Sequence, residues 1–280
     1  MTEGVTGSRV KVGAWLVAED RDRAYDGSSE VDNLMQERTQ IMVPLLTVDV
    51  RVSDRFGVQA AASIPDVTRS AVIPRPGGAV AFSETFSGLG DTSLIGWYKL
   101  RPRNGWYTVV NVGTSLPTGK TERPRFRDEL QNGSLVPMSR LQRGSGTVDP
   151  LVGANTARRF RQVFTGFGSV AARLPVYENG DGLRTGASWE VNGGLARDLG
   201  TSRVTGLARM AWLHREQDAF KGTPVLVGGG NWVYLTPGIA AQIGKGINVQ
   251  AEIKLPIHRA LANKQLDSRA IVQFGISRAF

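Results

Sequence analysis

The chain has 280 residues, 34 glycines, no cysteine, 41% apolar residues and a formal charge of +9. The lack of cysteine excludes disulfides and thiolate metal sites, and no apolar run reaches the roughly 18 residues of a transmembrane helix. The positive charge is scattered rather than gathered in blocks of about five or more, so no nucleic-acid-binding arm is expected.

From Val10 onward, two-residue periodicity dominates. Val10, Val12, Ala14, Leu16 and Ala18 alternate with Lys11, Gly13, Trp15 and Val17. Leu46, Val48, Val50 and Val52 alternate with Thr47, Asp49 and Arg51. A turn at Ser53-Asp54-Arg55 leads to Phe56, Val58, Ala60 and Ala62. A strand from about Leu89 to Leu100 turns at Arg101-Pro102-Arg103-Asn104-Gly105, where Asn-Gly is a hairpin signal. Trp106, Thr108, Val110 and Val112 then share one face. The pattern resumes at Val148, with turns expected near Arg158-Arg159, at Leu199-Gly200-Thr201 and at Gly244-Lys245-Gly246. It ends in Ala270, Val272, Phe274, Ile276 and Phe280, alternating with Gln273, Gly275, Ser277 and Ala279.

This reading gives about twelve strands whose connections alternate in length. Short turns fall near 54, 103, 159, 200 and 245, and longer loops at roughly 19–36, 65–88, 118–146, 175–182, 214–230 and 257–267. Sorting short turns to one end and long loops to the other is the asymmetry of bacterial outer-membrane barrels. The expected fold is therefore all-β: one transmembrane antiparallel up-and-down barrel domain over residues 1–280, with short periplasmic turns and long extracellular loops. Lipid bilayer and lipopolysaccharide would surround it. Outward aromatics Phe56, Tyr98, Trp106, Phe164 and Phe280 would form a girdle at the short-turn end, with Trp212 near the other. Met1-Thr2-Glu3-Gly4 has no basic n-region or apolar h-region, so the chain reads as a mature one that has lost its leader.

Residues of inward parity should set the lumen's character. Asp49, Arg51, Lys99, Arg173, Arg184, Glu190, Arg203, Arg209, Glu252 and Lys254 would either pair into a plug or line a water-filled path with mild anion preference. Nearer the long loops, Trp15, Ile41, Val43, Leu213, Trp232 and Tyr234 would either capture apolar solutes or pack against an infolded loop such as 118–146. Gly113 to Thr121 imitates a phosphate-binding loop, but the glycine spacing is one residue too long and Pro124 forbids the helix behind it. His214 and His258 have no serine close in sequence and are too far apart for a metal site, so no catalytic residue, metal or cofactor is expected.

Three segments carry a family resemblance: Gly88-Leu89-Gly90-Asp91-Thr92-Ser93-Leu94-Ile95-Gly96-Trp97-Tyr98-Lys99-Leu100, Ser115-Leu116-Pro117-Thr118-Gly119-Lys120, and Gly144-Ser145-Gly146-Thr147-Val148-Asp149-Pro150-Leu151-Val152-Gly153-Ala154. In order and spacing they resemble the outer-membrane proteins of the meta-pathway of phenol degradation, which are regarded as channels or transporters for aromatic compounds. The resemblance implies a passive channel for small solutes, aromatic or anionic, in the bacterial outer membrane. It also implies that the terminal Phe280 is an assembly signal for the outer-membrane assembly machinery, although Arg278 replaces the usual apolar residue two positions earlier. A closed barrel that scaffolds an envelope partner protein is the alternative.

Overall fold

The computed structural model describes residues 9–121, 129–131, 134–136, 142–160, 163–200, 203–225, 228–244 and 246–280. The leader reading at Met1 to Gly4, the turn residues Thr201 and Lys245, Pro124 and much of loop 118–146 lie outside them.

Twelve long strands close into an antiparallel barrel: β1 (Val10–Asp26), β3 (Arg38–Arg51), β4 (Phe56–Ser63), β7 (Thr92–Lys99), β8 (Trp106–Leu116), β11 (Asp149–Phe160), β12 (Phe164–Arg173), β14 (Ser188–Asp198), β15 (Val204–Arg215), β18 (Gly230–Ile243), β19 (Ile247–Leu261) and β20 (Gln265–Ala279). Each pairs with its chain neighbour, and β1 pairs with both β3 and β20. Two main-chain bonds complete the ring: Arg9 N donates to Phe280 O (3.0 Å) and Phe280 N to Val10 O (2.8 Å). A closed ladder leaves no sheet edge within the membrane, which a lipid-exposed wall requires.

Short segments decorate the long-loop end. β2 (Ser29–Val31) pairs back on β1. The hairpin of β5 (Asp66–Arg75) and β6 (Gly78–Ser87) pairs with the upper half of β3, beyond the point where β4 stops. β9 (Glu129–Gln131) pairs with β10 (Ser134–Val136), and β13 (Leu183–Arg184), β16 (Ala219–Phe220) and β17 (Thr223–Pro224) form a small separate sheet.

The period-two alternation dictates the faces. Val112, Val191, Leu195, Ile239, Ile243, Val272 and Phe274 all stand exposed on the outside. Moving a Val, Leu or Ile side chain out of water is worth about 1.5–3 kcal/mol, so an apolar band of this size needs lipid around it. At the short-turn end, Asn104 (φ 52°) and Gly105 (φ 77°) take the two left-handed positions of a primed hairpin turn, whose twist matches the strands.

Three expectations need correction. Residues 19–26 and 257–267 are largely strand, and the last connection is only Ala262 to Lys264. The charged run Glu19 to Arg23 reads as loop, yet its side chains pair across the wall. Asp20 accepts from Arg38 (2.9 Å) and Asp22 lies 3.5 Å from Arg269, while Glu19 holds Arg21 (2.7 Å). The turn placed at Arg158-Arg159 lies beyond Phe160, because Arg158 stays in register with Gly166. The strand expected from Leu89 begins at Thr92, since Gly90 N bonds Ser63 O (2.8 Å) and holds the preceding segment in the connection.

Candidate functional site

The lumen is built on a repeated pairing of a large inward side chain with an inward glycine directly across the ladder. The pairs are Trp15 with Gly275, Trp97 with Gly57, Phe167 with Gly194, Ile95 with Gly113 and Glu252 with Gly238, and the smaller Thr47 faces Gly13 in the same way. A Cβ on Gly275 or Gly57 would overlap the indole ring that lies on it. On Gly194 it would meet Phe167 Cζ at 2.8 Å, and on Gly238 Glu252 Cγ at 2.7 Å. The absent side chain lets each bulky partner fold flat against the wall instead of projecting across the lumen. Trp97 is fixed a second time, by donating its indole N–H to Asp49 (3.0 Å).

At mid-height the predicted charges pair. Arg209 bonds Glu252 (2.7 Å), which also accepts from Gln250, and Lys254 reaches Glu190 (3.5 Å). Along β18 to β20 and β1, the aromatic set is packed into this lattice. Trp232 donates to Asp267 (3.0 Å), which is 3.3 Å from Arg259. Arg259 stacks on Tyr25 (4.1 Å), and Lys254 lies over Tyr234 (4.2 Å). Leu213 packs against this cluster, and Ile41 packs instead against Val67 and Phe86 beneath the β5–β6 hairpin. Trp15 rests on its glycine, and Val43 is half-buried opposite Val17. The six upper residues are thus divided among separate packing sites.

The opposite half of the upper lumen holds a chamber of about 440 Å³. Ser63, Ser93, Ser115 and Ser188 line it from the long-loop ends of four strands, with Leu45, Leu151, Arg173 and Arg215. The segment Gln142 to Ser145 forms part of its lining. Asp91 holds that segment: it accepts from Ser145 N (2.8 Å), Ser145 Oγ (2.8 Å) and Gly119 N (3.3 Å), and lies 3.6 Å from Arg173. Arg173 also pairs with the fully buried Asp149, which accepts from Thr147 Oγ1 (2.6 Å). Gly119 and Gly144 permit the backbone contact between the two loop stems, since a Cβ on Gly119 would sit 2.8 Å from Gly144 Cα. The three segments that carry the family resemblance therefore converge on one clamp.

None of Asp91, Ser63, Ser93, Arg143 or Arg215 stands out in the sequence as a lumen residue. The available signal was inward parity at the tops of strands, which serine hides because it breaks no apolar pattern. Arg184, predicted in the lumen, is exposed in the small sheet at the long-loop end. The strand is interrupted at Gly186, where N–H donates to Asp218 (2.7 Å) and a Cβ would overlap Glu216 O.

Charge is distributed unevenly along the axis. At the long-loop end carboxylates meet arginines, as in Glu30 with Arg23, Glu37 with Arg69 and Asp218 with Arg215. The short-turn end carries Arg9, Lys11, Arg51, Arg55, Lys99, Arg101 and Arg103, and then Arg158, Arg159, Arg197, Arg203 and Arg278. Among the described residues there, only Asp49, Asp54 and Asp198 oppose them. Lys11, Arg51, Lys99 and Arg159 have inward parity, as does the exposed Arg203 in the turn before β15, and Arg159 pairs with Asp198 (2.9 Å).

His214 lies on the outer face, stacked between Trp189 (5.3 Å) and Trp212 (6.0 Å) with Nδ1 on Asn231 Oδ1 (2.9 Å). His258 is exposed opposite Val233, also on the outer face. Neither points into the lumen.

An outer-membrane channel from Pseudomonas putida F1 is similar over 99% of this chain and 97% of its own, with a TM-score of 0.71 at 13% identity. The NanC porin is similar over 97% and 98%, with a TM-score of 0.51 at 7% identity. The translocator domain of the autotransporter NalP from Neisseria meningitidis follows over 98% and 89%, at 0.51 and 10%. No family model and no curated protein sequence matches the chain. The fold is that of a twelve-stranded outer-membrane β-barrel.

Proposed function

We propose that the chain is a passive channel of the bacterial outer membrane for small anionic solutes. The observation that carries this reading is the wall of glycine-seated side chains, which leaves a polar chamber above a cationic mouth. A lumen charge of one sign raises the local concentration of the opposite ion. The chamber suits a carboxylate or hydroxyl. Arg143, Arg173 and Arg215 line it, and the Thr185 hydroxyl and Gln142 amide there are buried with no hydrogen-bond partner among the described residues. The resemblance of residues 88–154 to the phenol-degradation family favours aromatic acids within that class. In this reading lipid and lipopolysaccharide surround the wall, and Phe280 is read by the assembly machinery.

The protein in planar bilayers under a KCl gradient gives an anion-selective reversal potential, and benzoate permeates. Absence of conductance, or cation selectivity, would overturn the reading. The double variant Arg51→Glu/Lys99→Glu moves the reversal potential toward cation preference while conductance persists.

A second reading, a closed barrel that scaffolds an envelope partner, is favoured by the clamp that holds Gln142 to Ser145 at the chamber. Asp91→Ala separates the two. It removes the acceptor of three hydrogen bonds. In a channel, single-channel conductance rises from an already measurable value, by roughly twofold for an interior between the packed eight-stranded and the open sixteen-stranded cases. In a closed scaffold, conductance appears only in the variant.

A further inference from the structure

The outer surface of the short-turn end has a chemistry that solute passage does not use. Arg158, Arg197 and Arg278 occupy outward positions within the last few residues of β11, β14 and β20. Each guanidinium stacks on an outward aromatic ring at the same end: Arg158 on Phe160 (5.0 Å) and Trp106 (6.0 Å), Arg197 on Phe164 (5.3 Å), and Arg278 on Phe280 (4.8 Å). No carboxylate pairs with any of the three among the described residues. This contrasts with the long-loop end, where the outward Arg38 and Arg269 are matched to Asp20 and Asp22.

We propose that this arginine–aromatic belt binds the phosphates of anionic phospholipids in the periplasmic leaflet. Aromatic side chains at a barrel rim sit at head-group depth. A guanidinium laid flat on a ring keeps its edge N–H groups free, and that fork matches phosphate oxygens. Cationic residues at this depth are drawn to an anionic lipid surface. Five of the twelve described cationic side chains here have inward parity; the other seven stand with one carboxylate, Asp54, and give the outer rim the charge complementary to such a leaflet. The outward position of Arg278 also accounts for its departure from the usual apolar residue. Its cation lies level with the head groups while Phe280 supplies the apolar contact.

The test is native mass spectrometry of the full-length folded protein with added phosphatidylglycerol, phosphatidylcholine or lipid A. Folding of each variant is verified by heat-dependent gel mobility. The proposal expects phosphatidylglycerol adducts to exceed phosphatidylcholine adducts severalfold, and this preference to fall to parity in Arg158→Gln/Arg197→Gln/Arg278→Gln. Arg38→Gln/Arg269→Gln, at the other end, keeps it. Equal binding of the two phospholipids by the unmodified protein overturns the proposal, as does a preference that survives the triple variant. Lipid A binding stronger than phosphatidylglycerol binding and lost in the triple variant also overturns it, by assigning the belt to the other leaflet. Channel activity does not enter the measurement, so the belt and the channel reading stand or fall separately.

Discussion

Replacing Gly275 with leucine narrows the lumen, and single-channel conductance falls on the order of twofold, given the area of one indole in a barrel of this width. Trp15 lies flat over Gly275, directly across the β1–β20 ladder. A leucine there occupies the space of the ring, which swings away from the wall. The overpacking costs about 1–3 kcal/mol of stability, so the barrel still folds. The second half of the experiment identifies the cause. In Gly275→Leu/Trp15→Ala the displaced ring is gone, and conductance returns to the original value or exceeds it. If the double variant remains as narrow as the single, the glycine seat does not set the bore. Coupling of this kind between touching residues is what a double-mutant cycle resolves.

Arg173→Met destabilises the barrel by about 3–5 kcal/mol, the usual cost of leaving a buried charge without its partner. Asp149 is fully buried and depends on Arg173 for its counter-charge. Thr147 Oγ1 donates to the same carboxylate but brings no charge. Asp91 also loses a neighbouring cation, yet keeps its bonds from Ser145 and Gly119. Denaturant unfolding from lipid vesicles measures the difference. Arg173→Met/Asp149→Asn recovers most of the loss, because the amide needs no counter-ion. A single variant as stable as the parent would show that water reaches Asp149.

The wall was legible from the sequence because one physical signal repeats along it. Lipid demands apolar side chains at every second position, and tight turns demand residues such as Asn104 and Gly105. The upper rim was hidden for the converse reason. Above the apolar band both faces of β1 carry polar side chains, so Glu19 to Arg23 lose the alternation although the ladder continues. The lumen was half legible. Parity found Asp49, Glu190, Arg209, Glu252 and Lys254, and the pairing of the last four fits an interior that must neutralise its charges. The glycine seats could not be read. Gly275 and Trp15 stand near opposite ends of the chain, and only the ring's register brings them together. Arg184 misled because alternation runs on across Gly186, where the backbone turns aside.

The strands of the ring differ in length, and so do the joins between them. Thirteen registered pairs link β1 to β20, whereas seven link β4 to β7. The place where the two chain ends meet is therefore among the longest joins in the wall. Pulled apart from within, the barrel would not open at its termini. It would tear first along β4, whose joins to β3 and to β7 are each held by only seven registered pairs.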